Sequence, residues 1–206
     1  MTAVREPRTT GARPTDDQLL DAARAVFVER GFHATTMSDI SERANSTKPT
    51  LYAHFGGKDV LYDQLLRREA EVCRAHLFNA YAAAASLGLR EQTRADVTAF
   101  FEYAEHSPEG FELLFGARNG GTSISVRDDL VESLVDQVAQ RLMDFRAGTA
   151  GRTPTWREHQ LAAMLVGSTI TAAQHARNTG EDLQRAVKLA SSFAIAALEN
   201  LPPARS

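Results

Sequence analysis

Apolar residues in this chain recur every three or four positions almost from end to end, and that spacing decides the fold class before any other feature. Leu19, Leu20, Ala23, Val26 and Phe27 mark one stripe, and Met37, Ile40 and Ala44 a second. Leu61, Leu65, Leu66, Ala70, Cys73 and Leu77 mark a longer one. Val97, Phe100, Phe101 and Ala104 follow, then Phe111, Leu114 and Phe115, then Val131, Leu134, Val135, Val138, Leu142 and Phe145. Such spacing gathers side chains on one face of an α-helix. No segment alternates apolar and polar positions with β-branched residues, so the expected fold is all-α. Two last helices, Trp156 to about Thr179 and Asp182 to Asn200, complete three short helices followed by about six longer ones.

A chain of 206 residues hides roughly 70% of its unfolded surface on folding. Its core therefore needs no disulfide or metal staple. Cys73 is the single cysteine, which excludes an internal disulfide framework and a multi-cysteine zinc site and fits a reducing cytosol. No apolar run approaches the roughly 20 residues of a membrane span. The N-terminus, with Arg5, Glu6, Arg8 and Arg13, has no apolar signal core, so a cytoplasmic protein is expected. The net charge is −3, and the deficit lies late in the chain. Residues 1–60 carry 8 basic and 8 acidic side chains, the remainder 15 and 18. That balance lowers the expectation of a broad field for nucleic acid, but a DNA-reading surface needs only a local cluster of donors.

The punctuation of the first 60 residues is more informative. Residues 1–14 hold Pro7, Pro14 and Gly11 and little to bury, and read as a disordered arm. Thr15 with Asp16 and Asp17 opens the first helix, and Gly31 closes it as a left-handed cap before Phe32. Thr36 with Asp39 is a variant capping box for a short second helix. Asn45 can hold a left-handed turn position. Thr47 then caps a third helix from Lys48 to Phe55, with Pro49 in the first turn, where its missing N–H is no loss. Gly56 and Gly57 break the chain, and Lys58 and Asp59 open a long fourth helix.

Two short helices joined by a three-residue turn, the second with a polar tip, form a helix-turn-helix. In that motif the second helix enters the major groove with its N-terminal residues at base edges. Here those residues are Thr47, Lys48, Pro49 and Thr50, with Tyr52 and His54 further along. Threonine hydroxyls reach bases or phosphates, and a threonine methyl can meet a thymine methyl. Tyr52 and His54 can donate to phosphate oxygens. Lys58 adds positive charge at a helix N-terminus, where backbone N–H groups already favour an anion.

The run Gly31-Phe32, Thr35-Thr36, Ile40, Ala44 to Phe55 and Lys58-Asp59-Val60-Leu61 resembles the DNA-binding domain of the TetR family of bacterial transcriptional regulators. The resemblance covers roughly residues 15–62, and its most specific part is Thr50-Leu51-Tyr52, His54-Phe55, Lys58-Asp59 and Leu61. It implies phosphate contacts at Thr36, Thr47, Tyr52, His54 and Lys58, and base reading at Lys48, Pro49 and Thr50. Where the family commonly has glycine and then an apolar residue in the turn, this chain has Asn45 and Ser46.

After the disordered arm at 1–14, the expected domains are a helix-turn-helix DNA-binding domain at 15–57 and a larger helical domain at 58–206, which the resemblance implies binds ligand and dimerises. Homodimerisation is expected through the last two helices. Small residues there, Ala162, Ala163, Gly167, Ala172 and Ala173, then Ala186, Ala190 and Ala194, suit close helix approach. An intramolecular helix pair is the plainer reading of composition alone. Polar groups among aromatics suit a small-molecule site, and the expected ligand-binding residues are Tyr103, Phe111, Phe115, Met164, Ser168 and His175. The expected function is a ligand-responsive transcriptional regulator, a repressor that binds a near-palindromic operator as a dimer and is released by a small molecule. The alternative is a helical small-molecule-binding protein or enzyme without specific DNA binding. No Glu-x-x-His pair, phosphate-binding glycine loop or Gly-x-Ser-x-Gly motif occurs, so no catalytic residue, cofactor or metal is expected.

Overall fold

The computed structural model describes residues 14–116, 123–145 and 152–200. Among these residues there are nine helices and no strand: α1 (Asp16–Ala34), α2 (Met37–Arg43), α3 (Lys48–Phe55), α4 (Lys58–Ala83), α5 (Leu89–His106), α6 (Pro108–Phe115), α7 (Ser123–Asp144), α8 (Trp156–Thr179) and α9 (Leu183–Glu199). The arm read at 1–14 lies outside the described residues except for Pro14.

Local chemistry sets the first boundaries. Thr15 caps α1 through a reciprocal box with Gln18, and Thr36 and Asp39 form the second box at α2. Thr47 caps α3, whose Pro49 lies in the first turn. Gly31 takes φ 76°, as a left-handed position requires, but helix geometry resumes beyond it for one further turn to Ala34. That kink turns Phe32 inward, where its ring lies 6.0 Å from Phe27 and 4.8 Å from Tyr62 of α4. Asn45 adopts φ 47° between α2 and α3, the conformation that a glycine would supply most cheaply.

The first three helices pack on the beginning of α4. Leu19, Ala23, Ile40, Leu51, Leu61 and Leu65 are fully enclosed. Burying each leucine or isoleucine side chain contributes roughly 1.5–3 kcal/mol. Helix α4 then continues past this unit, and its Ala70, Cys73, Leu77 and Tyr81 are buried against the later helices. The chain thus passes from the N-terminal unit to the rest through one continuous helix. Helix α8 packs against α7 on one side and α9 on the other, and α9 also packs on α5.

Among the described residues, several large apolar side chains stay outside this packing. On α8 and α9, Met164, Leu189 and Phe193 are exposed at 55%, 74% and 60%, large values for side chains of this kind. Between them runs an open groove of about 720 Å³. The tip of α3 is open as well. No helix among the described residues is long and apolar enough to cross a membrane.

Candidate nucleic-acid interface and effector cavity

Helix α3 has eight residues, and its two buried ones determine what the others face. Leu51 and Phe55, one turn apart, anchor it to the core. Lys48, Pro49, Tyr52 and His54 are therefore left exposed, and Thr50 is half-buried at the edge. Among the described residues, the Lys48 ammonium has no ion pair. Tyr52 is 51% exposed, a large ring held out in solvent. Thr36 and Thr47, the caps of α2 and α3, are exposed beside this tip.

Several of these groups already have internal partners. The Thr36 hydroxyl donates to Asp39 Oδ2 at 2.7 Å, and the Thr36 N–H donates to the same oxygen at 2.9 Å. Those bonds from Thr36, followed by charge attraction from Arg30, hold the Asp39 carboxyl below its ordinary range. The Thr47 and Thr50 hydroxyls share a hydrogen bond of 2.9 Å, so one of the two protons remains outward. His54 Nδ1 is paired with Asp16 at the start of α1, which leaves Nε2 as its free edge.

Lys58 has the most definite internal role. Its ammonium donates to the carbonyl oxygens of Phe32 at 2.9 Å and Thr35 at 3.0 Å, and lies 4.4 Å from the centre of the Phe32 ring. Those carbonyls end α1 and lead into α2, so Lys58 ties the corner of the helix-turn-helix to α4. Of its three N–H groups, one is left for a phosphate.

The six expected ligand residues fall into two places. Tyr103, Phe111 and Phe115 are fully buried between α5 and α6, where Phe111 and Phe115 lie 5.2 Å apart and pack on Phe100. Ser168 and His175 line the outer groove of α8 and α9, and Met164 faces outward on α8. None of the six lines the smaller, partly open cavity between α5, α7, α8 and α9. That cavity is about 60 Å³, room for about five waters. Its walls are mainly Leu89, Val97, Phe100, Leu134, Val138, Leu165, Val166, Ala194 and Leu198.

Its polar lining went unrecognised in the sequence. Arg141 of α7 donates to Asp96 of α5 at 2.8 Å, and through Nε and Nη2 to Gln92 Oε1 at 3.2 and 2.5 Å. The guanidinium stacks 4.7 Å above the Tyr81 ring. Gln92 is fixed in turn, because its amide donates to the carbonyls of Ala85 and Leu87. Burial raises the Asp96 carboxyl to about 6, and the nearby Arg141 charge only partly offsets this. The signal available in sequence was Gln92 and Asp96, one turn apart beside the Val97 and Phe100 stripe.

A chain of contacts runs from this cavity towards α1. Phe100 lines the cavity and touches Phe111 and Phe115 of α6 at 5.9 and 5.5 Å between ring centres. At the start of α6, Glu109 pairs with Arg24 of α1 at 3.0 Å. Arg24 also lies 3.6 Å from Glu69, a carboxylate only 3% exposed, which Arg68 holds at 3.2 Å. Among the described residues, no group of three His, Cys, Asp or Glu side chains could hold a metal ion.

Comparison with known proteins agrees with this geometry. A family model described as bacterial regulatory proteins, tetR family, matches residues 19–65, from the first core leucine of α1 into α4. The HTH-type transcriptional activator FasR of Mycolicibacterium smegmatis is 30% identical over 191 residues, which is 92% of this chain and 85% of that protein. The HTH-type transcriptional repressor KstR2 of Rhodococcus jostii is 35% identical over 101 residues, 48% of each chain. Among solved structures, a TetR-like transcriptional regulator from a Rhodococcus species superposes with a TM-score of 0.68. It is 26% identical and aligns over 96% of this chain and all of that one.

Proposed function

The chain belongs to the tetR family of bacterial regulatory proteins and is a DNA-binding transcriptional regulator; from that premise we propose a ligand-released repressor that grips a near-palindromic operator as a homodimer. Regulators of this family bind DNA and small-molecule effectors and act as dimers. The observation that carries the reading is the tip of α3: Leu51 and Phe55 bury one face, and Lys48, Pro49, Thr50 and Tyr52 are left at the other. Lys48, Pro49 and Thr50 read base edges. Thr36, Thr47, Tyr52 and the free Nε2 of His54 hold phosphates, with the remaining N–H of Lys58 as a minor contributor.

The dimer forms through the outer faces of α8 and α9. Exposed Met164, Leu189 and Phe193 support that assignment, with small residues at Ala163, Gly167 and Ala172 between them. Two recognition helices then meet successive major grooves with centres about 34–36 Å apart. The DNA-binding domain is residues 15–57 and the regulatory domain follows from 58, the start of α4 serving as the platform on which the first packs.

The effector enters the cavity under Phe100. Opening that cavity displaces Phe100, which pushes the Phe111 and Phe115 rings and with them the start of α6. Glu109 and Arg24 pass the displacement to α1, and the two recognition helices leave their spacing. A ligand coupled to DNA by about 1–3 kcal/mol weakens operator binding roughly 5- to 150-fold. FasR, the relative aligned over most of this chain, is named an activator, which favours a second reading in which bound protein recruits transcription.

The test is a fluorescence-anisotropy titration against duplexes tiled across the gene's own upstream region, at two salt concentrations and with competitor DNA. Tight binding to one tile, lost in Lys48→Ala with Thr50→Ala, supports the assignment. Equal and salt-sensitive binding to every tile refutes it. In vitro transcription from the bound tile then separates the signs, since a repressor lowers transcript and an activator raises it.

A further inference from the structure

The cavity beneath Phe100 holds one charged pair in a mainly apolar wall, and that pair identifies a kind of ligand. Of the described residues lining the cavity, only Asp96 and Arg141 carry charge. Tyr81 comes from α4, and α8 and α9 contribute Leu165, Val166, Thr169, Ala194 and Leu198, none of them charged. Asp144 stands near Arg141 on the solvent side. The hydroxyls of Thr93 and Thr169 spend their protons on the carbonyls of Leu89 and Leu165 in their own helices.

The two members of the pair are held very differently. Arg141 is clamped by Gln92 through Nε and Nη2 and rests on the Tyr81 ring, so it stays in place without Asp96. Asp96 has a single described bond, accepted by Oδ1 from Arg141. Resting on the cavity assignment above, we propose that the effector is an apolar molecule bearing one carboxylate, which takes the place of Asp96 on Arg141 while Asp96 accepts a proton from water.

Charge conservation favours this class over its rivals. A buried site of low polarity resists any net charge. A protonated amine would place a second positive charge beside the guanidinium. An alcohol would make no charge-assisted bond. A carboxylate exchanges one Arg–carboxylate pair for another, and the planar guanidinium suits it. The balance is complete when the proton taken from solvent makes Asp96 neutral. Asp96 is prepared for that change, since burial already raises its carboxyl to about 6. The walls open on entry, because a six-carbon chain exceeds the space of about five waters.

The test uses the full-length protein and calorimetric titration with hexanoate, benzoate, hexanol and hexylamine. Hexanoate and benzoate separate a flexible chain from a flat ring as the apolar part. At least one carboxylate should bind tenfold or more tighter than the alcohol and the amine at pH 7. Titration in two buffers of different ionisation enthalpy should show uptake of about one proton. Carboxylate affinity should fall about tenfold per pH unit above pH 7, and Asp96→Asn should abolish that dependence while retaining binding. Arg141→Met should lose the carboxylate preference but still take hexanol, which separates lost recognition from lost folding. Equal binding of hexanol or hexylamine, or carboxylate binding without proton uptake, overturns the exchange and leaves the cavity standing. If none of the four binds, the cavity assignment fails and the exchange fails with it.

Discussion

Replacing Lys58 by methionine separates two roles that one lysine can have at this place. The aliphatic stem survives, and the ammonium that donates to the Phe32 and Thr35 carbonyls is removed. A hydrogen bond from a charged group contributes about 1.5–3 kcal/mol when sheltered. Lys58 is only half-buried, so about 1 kcal/mol for each carbonyl is the sounder figure. The lost cation–π contact with Phe32 adds roughly 0.5 kcal/mol. The total is about 2–3 kcal/mol, which for a chain of 150–250 residues lowers the melting temperature by roughly 5–10 °C. Circular dichroism melting without DNA measures it. The second measurement is the salt dependence of operator affinity, whose slope falls by about 0.9 for each phosphate contact removed. The structure predicts a lower melting temperature with a nearly unchanged slope. An unchanged melting temperature with a slope reduced by one would refute the reasoning and make Lys58 a phosphate contact alone.

Three other perturbations test different levels of the structure. Asn45 holds φ 47°, so Asn45→Ala should cost about 1 kcal/mol in urea denaturation while Asn45→Gly stays close to wild type. Because burial raises Asp96, the folded state binds its proton more tightly than the unfolded chain. The contribution of Asp96 to stability is therefore fully present below about pH 4, and is lost as pH rises to about 6. Denaturation of wild type and Asp96→Asn across that range should show this falling component in wild type only; parallel curves would remove it. Phe193 is 60% exposed on the proposed dimer face. A twofold interface uses it twice, so Phe193→Glu should cost about 3–6 kcal/mol of association and raise the dimer Kd at least 100-fold in sedimentation equilibrium. An unchanged Kd would place the interface elsewhere.

What could be read from sequence, and what could not, divides by the distance over which the chemistry acts. The caps at Thr15, Thr36 and Thr47 and the turn at Asn45 are decided within three or four residues, and the structure has each of them where the pattern placed it. Gly31 was legible as a left-handed position, but the turn beyond it was not. That turn depends on Phe32 meeting Tyr62 across thirty positions of sequence. The exposed residues of α3 were legible for a related reason, since burying Leu51 and Phe55 leaves the helix no choice about its outer face. Their bonding was not, because Asp16 meets His54 across 38 residues and Phe32 meets Lys58 across 26. The cavity lay furthest from view. Aromatic residues such as Phe111 and Phe115 suggest a pocket in sequence, yet aromatic rings pack readily on one another, and these two fill the space between α5 and α6. Asp96 and Arg141 look, one at a time, like the wet side of an amphipathic helix. Each becomes a cavity residue only when α7 brings the other within 2.8 Å. A charged side chain can leave water only with a partner. In a helical chain the polar residues of a ligand site are therefore those with the least individual signature, because the partner that makes their burial possible belongs to another helix.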